Sequence, residues 1–217
     1  MGLPLFHAVG MPRSPNHIAE VVETSTTEFL AQCLGQDELS FPSMPAFGSW
    51  VMAQEENSGN QIYGVVYHGT TTPIDSIHRA RALGLSLAEL RQQQPQIFAM
   101  LKTEFRVAIL GFQSTGQAEP AGSIYQYTPP CPPPVHQAVY RCQPESVLAF
   151  TTQLDFLRTL LILGNAPVDS LVAAVIRQCY QIRNLDRAWL VEACRSLSIL
   201  LKDDYDRLRS ILGQIHS

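Results

Sequence analysis

The spacing of hydrophobic positions divides the chain into two parts. Up to about residue 142, apolar residues form short runs separated by turn residues, a pattern typical of β-strands. From Pro144 onward they recur at intervals of three and four, as in amphipathic helices. The pattern predicts an α+β protein, in which a small antiparallel β-barrel at residues 16–142 is followed by an all-α bundle at residues 145–217.

The strongest strand signal is a predicted β-hairpin at residues 47–69, FGSWVMAQEENSGNQIYGVVYHG. Two apolar runs, 47–53 and 61–68, flank a polar segment whose Asn and Gly residues tolerate positive φ, which favours a hairpin turn. Gly48 and Gly64 interrupt the two runs. A glycine inside a strand often marks a bulge or a tight bend, so these two positions fit a small twisted barrel.

The rest of the first part supplies four more strands and a helical insertion. The additional strands are predicted at residues 18–23, 28–34, 104–112 and 135–142. The segment 28–34 also has helical character, but its short length before Gly35 favours a strand. The insertion covers about residues 74–102. Within it, Ser86 and Glu89 have the spacing of a capping box, which predicts a helix from there to about Gln93.

Two irregular segments complete the predicted first part, an arm at residues 1–15 and a proline-rich loop at residues 117–135. The loop contains the run PPCPPP at 129–134, which must be extended because each proline fixes φ and lacks an amide donor. A stiff spacer is the preferred interpretation, and a ligand for a proline-reading domain is the alternative.

The helical part is predicted as four helices, at about residues 154–163, 167–180, 186–201 and 203–215. The proline-rich loop and the change of period near residue 145 suggest that it has a core separate from that of the barrel. On this interpretation, a fragment of residues 145–217 is soluble and helical by itself.

Composition and charge narrow the possible functions. The 217 residues carry 15 Lys and Arg against 19 Asp and Glu, for a net charge of −4, whereas a general nucleic-acid binder is usually basic. Five scattered cysteines without a CxxC motif favour buried thiols in a reducing compartment. The sequence shows neither a secretory signal nor an apolar run long enough to span a membrane, so we expect a cytoplasmic protein.

The predicted barrel resembles a known family. The stretches that carry the resemblance are IAEVVET at 18–24, FLAQC at 29–33, PAFGSWV at 45–51 and IYGVVY at 62–67. They are similar to the HAS barrel (HerA–ATP synthase barrel), the small N-terminal barrel of HerA-type DNA translocases and of rotary ATP synthase subunits. The chain also resembles uncharacterised HAS-barrel proteins of cyanobacteria. The resemblance implies a collar or docking surface in a larger assembly.

The chain departs from those relatives in one respect that bears on function. In the relatives the barrel precedes a P-loop ATPase core, but this sequence has no G-x-x-x-x-G-K-[ST] motif. No nucleotide role is therefore carried over, and we predict no cofactor.

Candidate binding residues cluster in and near the helical insertion. Positive charge is concentrated at Arg79, Arg81, Arg91 and Arg106, and the aromatic side chains of Tyr67, Phe98 and Phe105 lie near them in the sequence. The preferred interpretation of the arginines is a solvated helix face paired with Glu89 and Glu104. The functional alternative is a site for an acidic protein or for RNA, and its predicted partner contacts are Arg79, Arg81, Arg91, Tyr67 and His68.

Catalytic and metal-binding patterns are not evident. His68, Asp75 and His78 are close in sequence, but a polar cluster at the barrel end is a simpler explanation than a metal site, which usually needs at least three ligands on rigid elements. The sequence therefore predicts a non-catalytic protein-docking module, an assembly or scaffolding factor for a larger complex. The alternative is a nucleic-acid-binding module that uses the arginine-rich insertion.

Overall fold

The structure, a computed structural model, describes residues 14–35, 44–75, 82–116, 120–164 and 166–216. Most of the predicted arm and the candidate residues Arg79, Arg81 and His78 lie outside these ranges. The strands are β1 (His17–Thr24), β2 (Glu28–Cys33), β3 (Trp50–Gln54), β4 (Gln61–Pro73), β5 (Leu101–Gln113), β6 (Ile124–Tyr125) and β7 (Ala138–Arg141). The helices are α1 (Leu87–Gln93), α2 (Gln96–Ala99), α3 (Pro144–Phe150), α4 (Phe156–Leu161), α5 (Val168–Ile182), α6 (Arg187–Leu200) and α7 (Tyr205–His216).

Six antiparallel strands close into a barrel, in the order β1–β2–β5–β4–β3–β7, with β7 returning to β1. The short strand β6 pairs with the end of β5 beyond the point where β5 leaves β2. The predicted fold class, a small antiparallel barrel followed by a helical C-terminal part, is therefore confirmed.

Two layers of apolar side chains explain the sequence pattern. The barrel interior is filled from alternate positions of all six strands, by Ala19, Val21, Phe29, Ala31, Cys33, Val51, Ala53, Ile62, Val66, Phe105, Val107, Ile109, Phe112 and Val139. The outward-facing residues of β3, β4 and β5 instead pack beneath the C-terminal helices. Residues 62–67 of β4 and 107–112 of β5 are buried on both faces and form almost continuous apolar runs, whereas β1 alternates.

Two glycines of the predicted hairpin, Gly48 and Gly64, occupy positions where the chain has no room for a side chain. The register of β4 against β5 shifts between Tyr63 and Gly64, which confirms the bulge predicted at that glycine. A Cβ on Gly64 would lie 2.5 Å from the Ala108 carbonyl oxygen. Gly48 has φ +81°, and its added Cβ would lie 2.9 Å from the Cβ of Ala174 in α5. Residues 46–49 form a turn, so the strand predicted from residue 47 begins only at Trp50.

The predicted capping box is present at the start of α1. The Glu89 amide donates to the Ser86 hydroxyl at 3.3 Å, and the Ser86 amide donates to Glu89 Oε2 at 2.7 Å. In the described part of the insertion, helix is confined to α1 and α2. The C-terminal part contains one helix that the hydrophobic period did not separate, α3, which begins with Pro144 at a first-turn position where a missing amide costs nothing.

The barrel and the helices are joined by one apolar cluster. The ring centroid of Trp50 lies 5.4 Å from that of Phe150 and 5.6 Å from that of Phe156, and Tyr63 stacks on Phe150 at 4.9 Å. All four rings are buried. Independent folding of residues 145–217 stays a prediction, and these contacts are what such a fragment would lose.

The proline-rich segment packs against the protein, since Pro129 and Pro133 are buried while Pro130 and Cys131 are exposed. Across the described residues, no helix combines the length and the apolar character needed to cross a membrane.

Candidate functional site

A groove of about 870 Å³ lies between the barrel and α4, and we call it the barrel–helix groove. Its floor is at the place where β5 changes partners from β2 to β6, and there the Ile109 amide donates to the Thr27 carbonyl oxygen at 2.9 Å. One wall is formed by β6 and the residues after it, and the other by α4 and its flanking loops. The groove therefore exists because β5 continues beyond the end of its pairing with β2.

A glutamine side chain fixes the distance between the two walls. Gln126 Nε2 donates to the carbonyl oxygens of Phe150, at 2.6 Å, and Gln153, at 3.0 Å. Its Oε1 accepts from the Phe156 amide at 2.8 Å. The Gln126 side chain thus bonds to backbone groups at the end of α3 and at the start of α4. It holds both helices against the segment that follows β6.

Tyr67 closes one end of the groove. A register shift between Val66 and His68 makes Tyr67 the extra residue of a bulge, and its side chain is buried on the outer face of the barrel. The phenol donates to Glu28 Oε2, while Arg106 Nη1 donates to Glu28 Oε1 at 2.9 Å. Burial and the hydrogen bond to Glu28 raise the pKa of Tyr67 to about 12, so the phenol stays protonated and acts as a donor.

Tyrosine rings line the wall formed by β6. Tyr125 stacks on Phe112 with centroids 5.2 Å apart, and Tyr127 packs edge-on against Phe112 at 5.7 Å. Tyr127 is nevertheless 52% exposed, and Ile162 on the opposite wall is 77% exposed. Large apolar side chains on both walls of one concave surface are typical of contact points that a partner covers.

Two charged side chains lie on the α4 wall, Asp155 and Arg158, and both are exposed. Asp155 occupies the N-cap position of α4 but makes no capping hydrogen bond with its side chain. Within the described part of the chain, neither residue has an ion-pair partner. Both charges are therefore available to a bound molecule.

The structure places the predicted partner residues in several locations. Tyr67 lines the barrel–helix groove, but His68 and Arg91 do not. His68 is exposed on β4, and the exposed Arg91 lies on α1 with its guanidinium 5.7 Å from the Phe98 ring centroid. Arg79 and Arg81 lie outside the described residues.

The structure decides two details of the predicted arginine surface. Phe98 and Phe105, for which the sequence allowed either a base-stacking or a core position, are both buried, and Phe105 belongs to the barrel interior. Arg106 pairs with Glu28, and at 3.8 Å with Glu23, rather than with the predicted Glu104. Glu104 instead pairs with Lys102 at 2.8 Å, because side chains two apart on a strand share one face.

The groove residues Tyr127 and Ile162 were not predicted. The alternation Tyr125-Gln126-Tyr127 is the signal from which Tyr127 could have been identified, because it places both rings on one side of an extended segment. Ile162 directly follows α4, and the hydrophobic spacing of that helix predicts a buried apolar stripe. Its exposure depends on where the chain turns at Gly164, which hydrophobic spacing does not encode.

Three of the five thiols have a raised pKa of about 11 or 12. Burial raises the pKa of Cys33 to about 11 and those of Cys142 and Cys179 to about 12, so these sulfurs stay protonated and are weak nucleophiles. No disulfide joins the cysteines, and the prediction of buried thiols holds for Cys33 and Cys179, whereas Cys131 is exposed. Among the described residues, no three His, Cys, Asp or Glu side chains are placed to hold a metal ion.

The closed six-stranded barrel places the first part of the chain among small antiparallel β-barrel domains. More specifically, residues 18–114 match the family model of the HAS barrel domain. The match covers β1 to β5, while β7 and helices α3 to α7 lie beyond it. No curated protein matches the chain.

Proposed function

We propose that this chain is a non-catalytic, cytoplasmic protein-docking module, an assembly or scaffolding factor for a larger complex. The observation that carries the proposal is the pair of exposed apolar side chains, Tyr127 and Ile162, on facing walls of the barrel–helix groove. Covering them removes apolar surface from water, which is the main driving force of protein association. The resemblance to uncharacterised cyanobacterial HAS-barrel proteins, and to collars of larger assemblies, points in the same direction.

The groove's chemistry supports binding rather than catalysis. Both carboxylate oxygens of Glu28 accept hydrogen bonds, from Tyr67 and from Arg106, and the Tyr67 phenol has a raised pKa. A general acid or base works best with a pKa near the operating pH, and the pKa of the Tyr67 phenol, about 12, is far from neutral. These residues therefore fix the shape of the groove.

Partner capture from native extract tests the proposal, with the tagged full chain as bait and mass spectrometry as readout. We expect Ile162→Glu and Tyr127→Ala to lose the partner that the wild type captures. The first variant places a charge in the apolar contact, and the second removes the aromatic ring. The matched controls are Ile199→Glu and Tyr205→Ala, since those residues are 73% and 72% exposed and do not line the groove. Equal capture by all four variants, or no specific partner for the wild type, contradicts the proposal.

The predicted arginine surface is tested separately, by changing Arg79, Arg81 and Arg91 together to Gln. If these residues dock an acidic protein, the triple variant loses capture while the fold is kept. Salt-sensitive binding of single-stranded RNA that disappears in the triple variant would overturn docking and favour the nucleic-acid alternative, because phosphate contacts weaken steeply with salt.

A further inference from the structure

Several polar side chains of the barrel–helix groove can donate hydrogen bonds to a bound molecule. Arg158 is a donor only, and the hydroxyls of Tyr127 and Thr159 can each donate. Glu28 has both oxygens occupied by donors of the protein itself. Of the two carboxylates in the described lining, Asp155 is the one whose side chain has no hydrogen-bond or ion-pair partner among the described residues.

A polyproline II segment has the complementary chemistry. Its backbone carbonyl oxygens make no internal hydrogen bonds, and each proline lacks an amide that would need an acceptor. Proline-rich peptides bind grooves lined by aromatic side chains, where the preformed helix loses little entropy. The Tyr125–Tyr127 wall, with ring centroids 5.4 Å apart, provides such a surface at the groove.

We propose that the barrel–helix groove binds a proline-rich segment of the partner protein in the polyproline II conformation. Its prolines lie between Tyr127 and Ile162, Arg158 donates to its carbonyl oxygens, and a Lys or Arg of the segment pairs with Asp155. This inference rests on the proposed docking function and names the kind of sequence that docks.

Other occupants fit the groove less well. A peptide added as a β-strand needs a long free edge, and β6 spans only Ile124–Tyr125. A nucleic-acid backbone would place phosphates beside Glu28 and Asp155, and Arg158 is the one cation among the described lining residues. Charge complementarity therefore favours a neutral or weakly basic segment.

Fluorescence polarisation on the full chain tests the inference. The probe is a labelled peptide with two PxxP repeats and one Arg, and the comparison peptide has Ala in place of every Pro. We expect the proline peptide alone to bind, and Tyr127→Ala to weaken its binding about tenfold, or about 1.4 kcal/mol. Tyr205→Ala, at a tyrosine of α7 that is 72% exposed and does not line the groove, is expected to bind like the wild type.

A second variant tests the predicted ion pair. Asp155→Asn is expected to weaken binding of the Arg-containing peptide and to leave binding of its Arg→Gln version unchanged, while thermal unfolding matches the wild type. The inference is overturned if the alanine peptide binds equally, if Tyr127→Ala binds like the wild type, or if no proline peptide binds.

The two proposals fail in different ways. A partner captured through Tyr127 and Ile162 by a chain that binds no proline peptide overturns this inference and leaves docking intact. Peptide binding without any captured partner supports the inference and contradicts the proposed function.

Discussion

At the scale of single residues, Glu55 shows how a buried carboxylate stabilises a turn. It lies in the β3–β4 connection and is only 4% exposed. Its two oxygens accept from the amides of Asn57, at 2.7 Å, and Ser58, at 2.8 Å, and also from the Ser58 hydroxyl. Burial acts to raise the pKa of Glu55, but these hydrogen bonds outweigh it and hold the pKa below its ordinary value of 4.5.

The lowered pKa predicts a pH-dependent stability. Because the folded state holds this carboxylate ionised more strongly than the unfolded state does, its stabilisation is complete above the unfolded pKa and is lost as the pH falls through the folded pKa. We expect Glu55→Gln to lower the free energy of unfolding at pH 7 by about 1.5–3 kcal/mol, since it removes charge-assisted hydrogen bonds. Urea unfolding at pH 7 and at acid pH measures the difference, which should shrink in acid.

The neighbouring Glu56 supplies the control for that experiment, because it lies in the same turn but is exposed. Glu56→Gln is expected to change stability by less than about 0.5 kcal/mol at either pH. An equal loss in the two variants would mean that the turn responds to total charge and not to the hydrogen bonds of Glu55.

At the scale of elements, the barrel and α5 touch through a glycine. Gly48 has φ +81° and faces the Cβ of Ala174, so Gly48→Ala introduces both backbone strain and a steric clash. Gly122 has the same φ of +81°, and no atom of the described residues lies within 4 Å of its added Cβ. Gly122→Ala therefore measures the free-energy cost of the backbone conformation alone, and Gly48→Ala measures that cost together with the cost of the steric clash.

We expect Gly122→Ala to destabilise the protein by about 1–2 kcal/mol, the cost of the left-handed conformation. Gly48→Ala should cost about 1–3 kcal/mol more, since it also overpacks the contact with α5. Chemical denaturation of the two variants measures the difference. Equal costs would show that α5 moves away freely, which would contradict tight packing between the helix and the barrel.

Elements with strong local signals could be predicted, and surfaces made by tertiary contact could not. The capping box depends on two residues three positions apart, Ser86 and Glu89. The bulge depends on the missing side chain of Gly64. Both features could therefore be predicted from the sequence. Tyr67 was a candidate partner residue and does line the groove. Tyr127 and Ile162 escaped prediction because their exposure depends on where β6 and α4 come to lie.

At the scale of the whole molecule, the barrel and the helices bury each other's aromatic rings. A fragment of residues 145–217 would expose Phe150 and Phe156 to water, and burying one such side chain contributes about 1.5–3 kcal/mol. We expect the fragment to be helical by circular dichroism but to bind ANS and to lack the cooperative thermal transition of the full chain. A sharp transition in the fragment would show that the predicted boundary near residue 145 separates two independent domains.

The strand β7 has a consequence for how the protein is made. It closes the barrel by pairing with β1 and β3, yet it lies at residues 138–141, well after the family match ends at residue 114. A ribosome releases the first five strands while the gap between β1 and β3 is still open, and unpaired strand edges invite aggregation. We therefore expect the edges of β1 and β3 to stay open to other strands until the sequence beyond the proline-rich run has been synthesised.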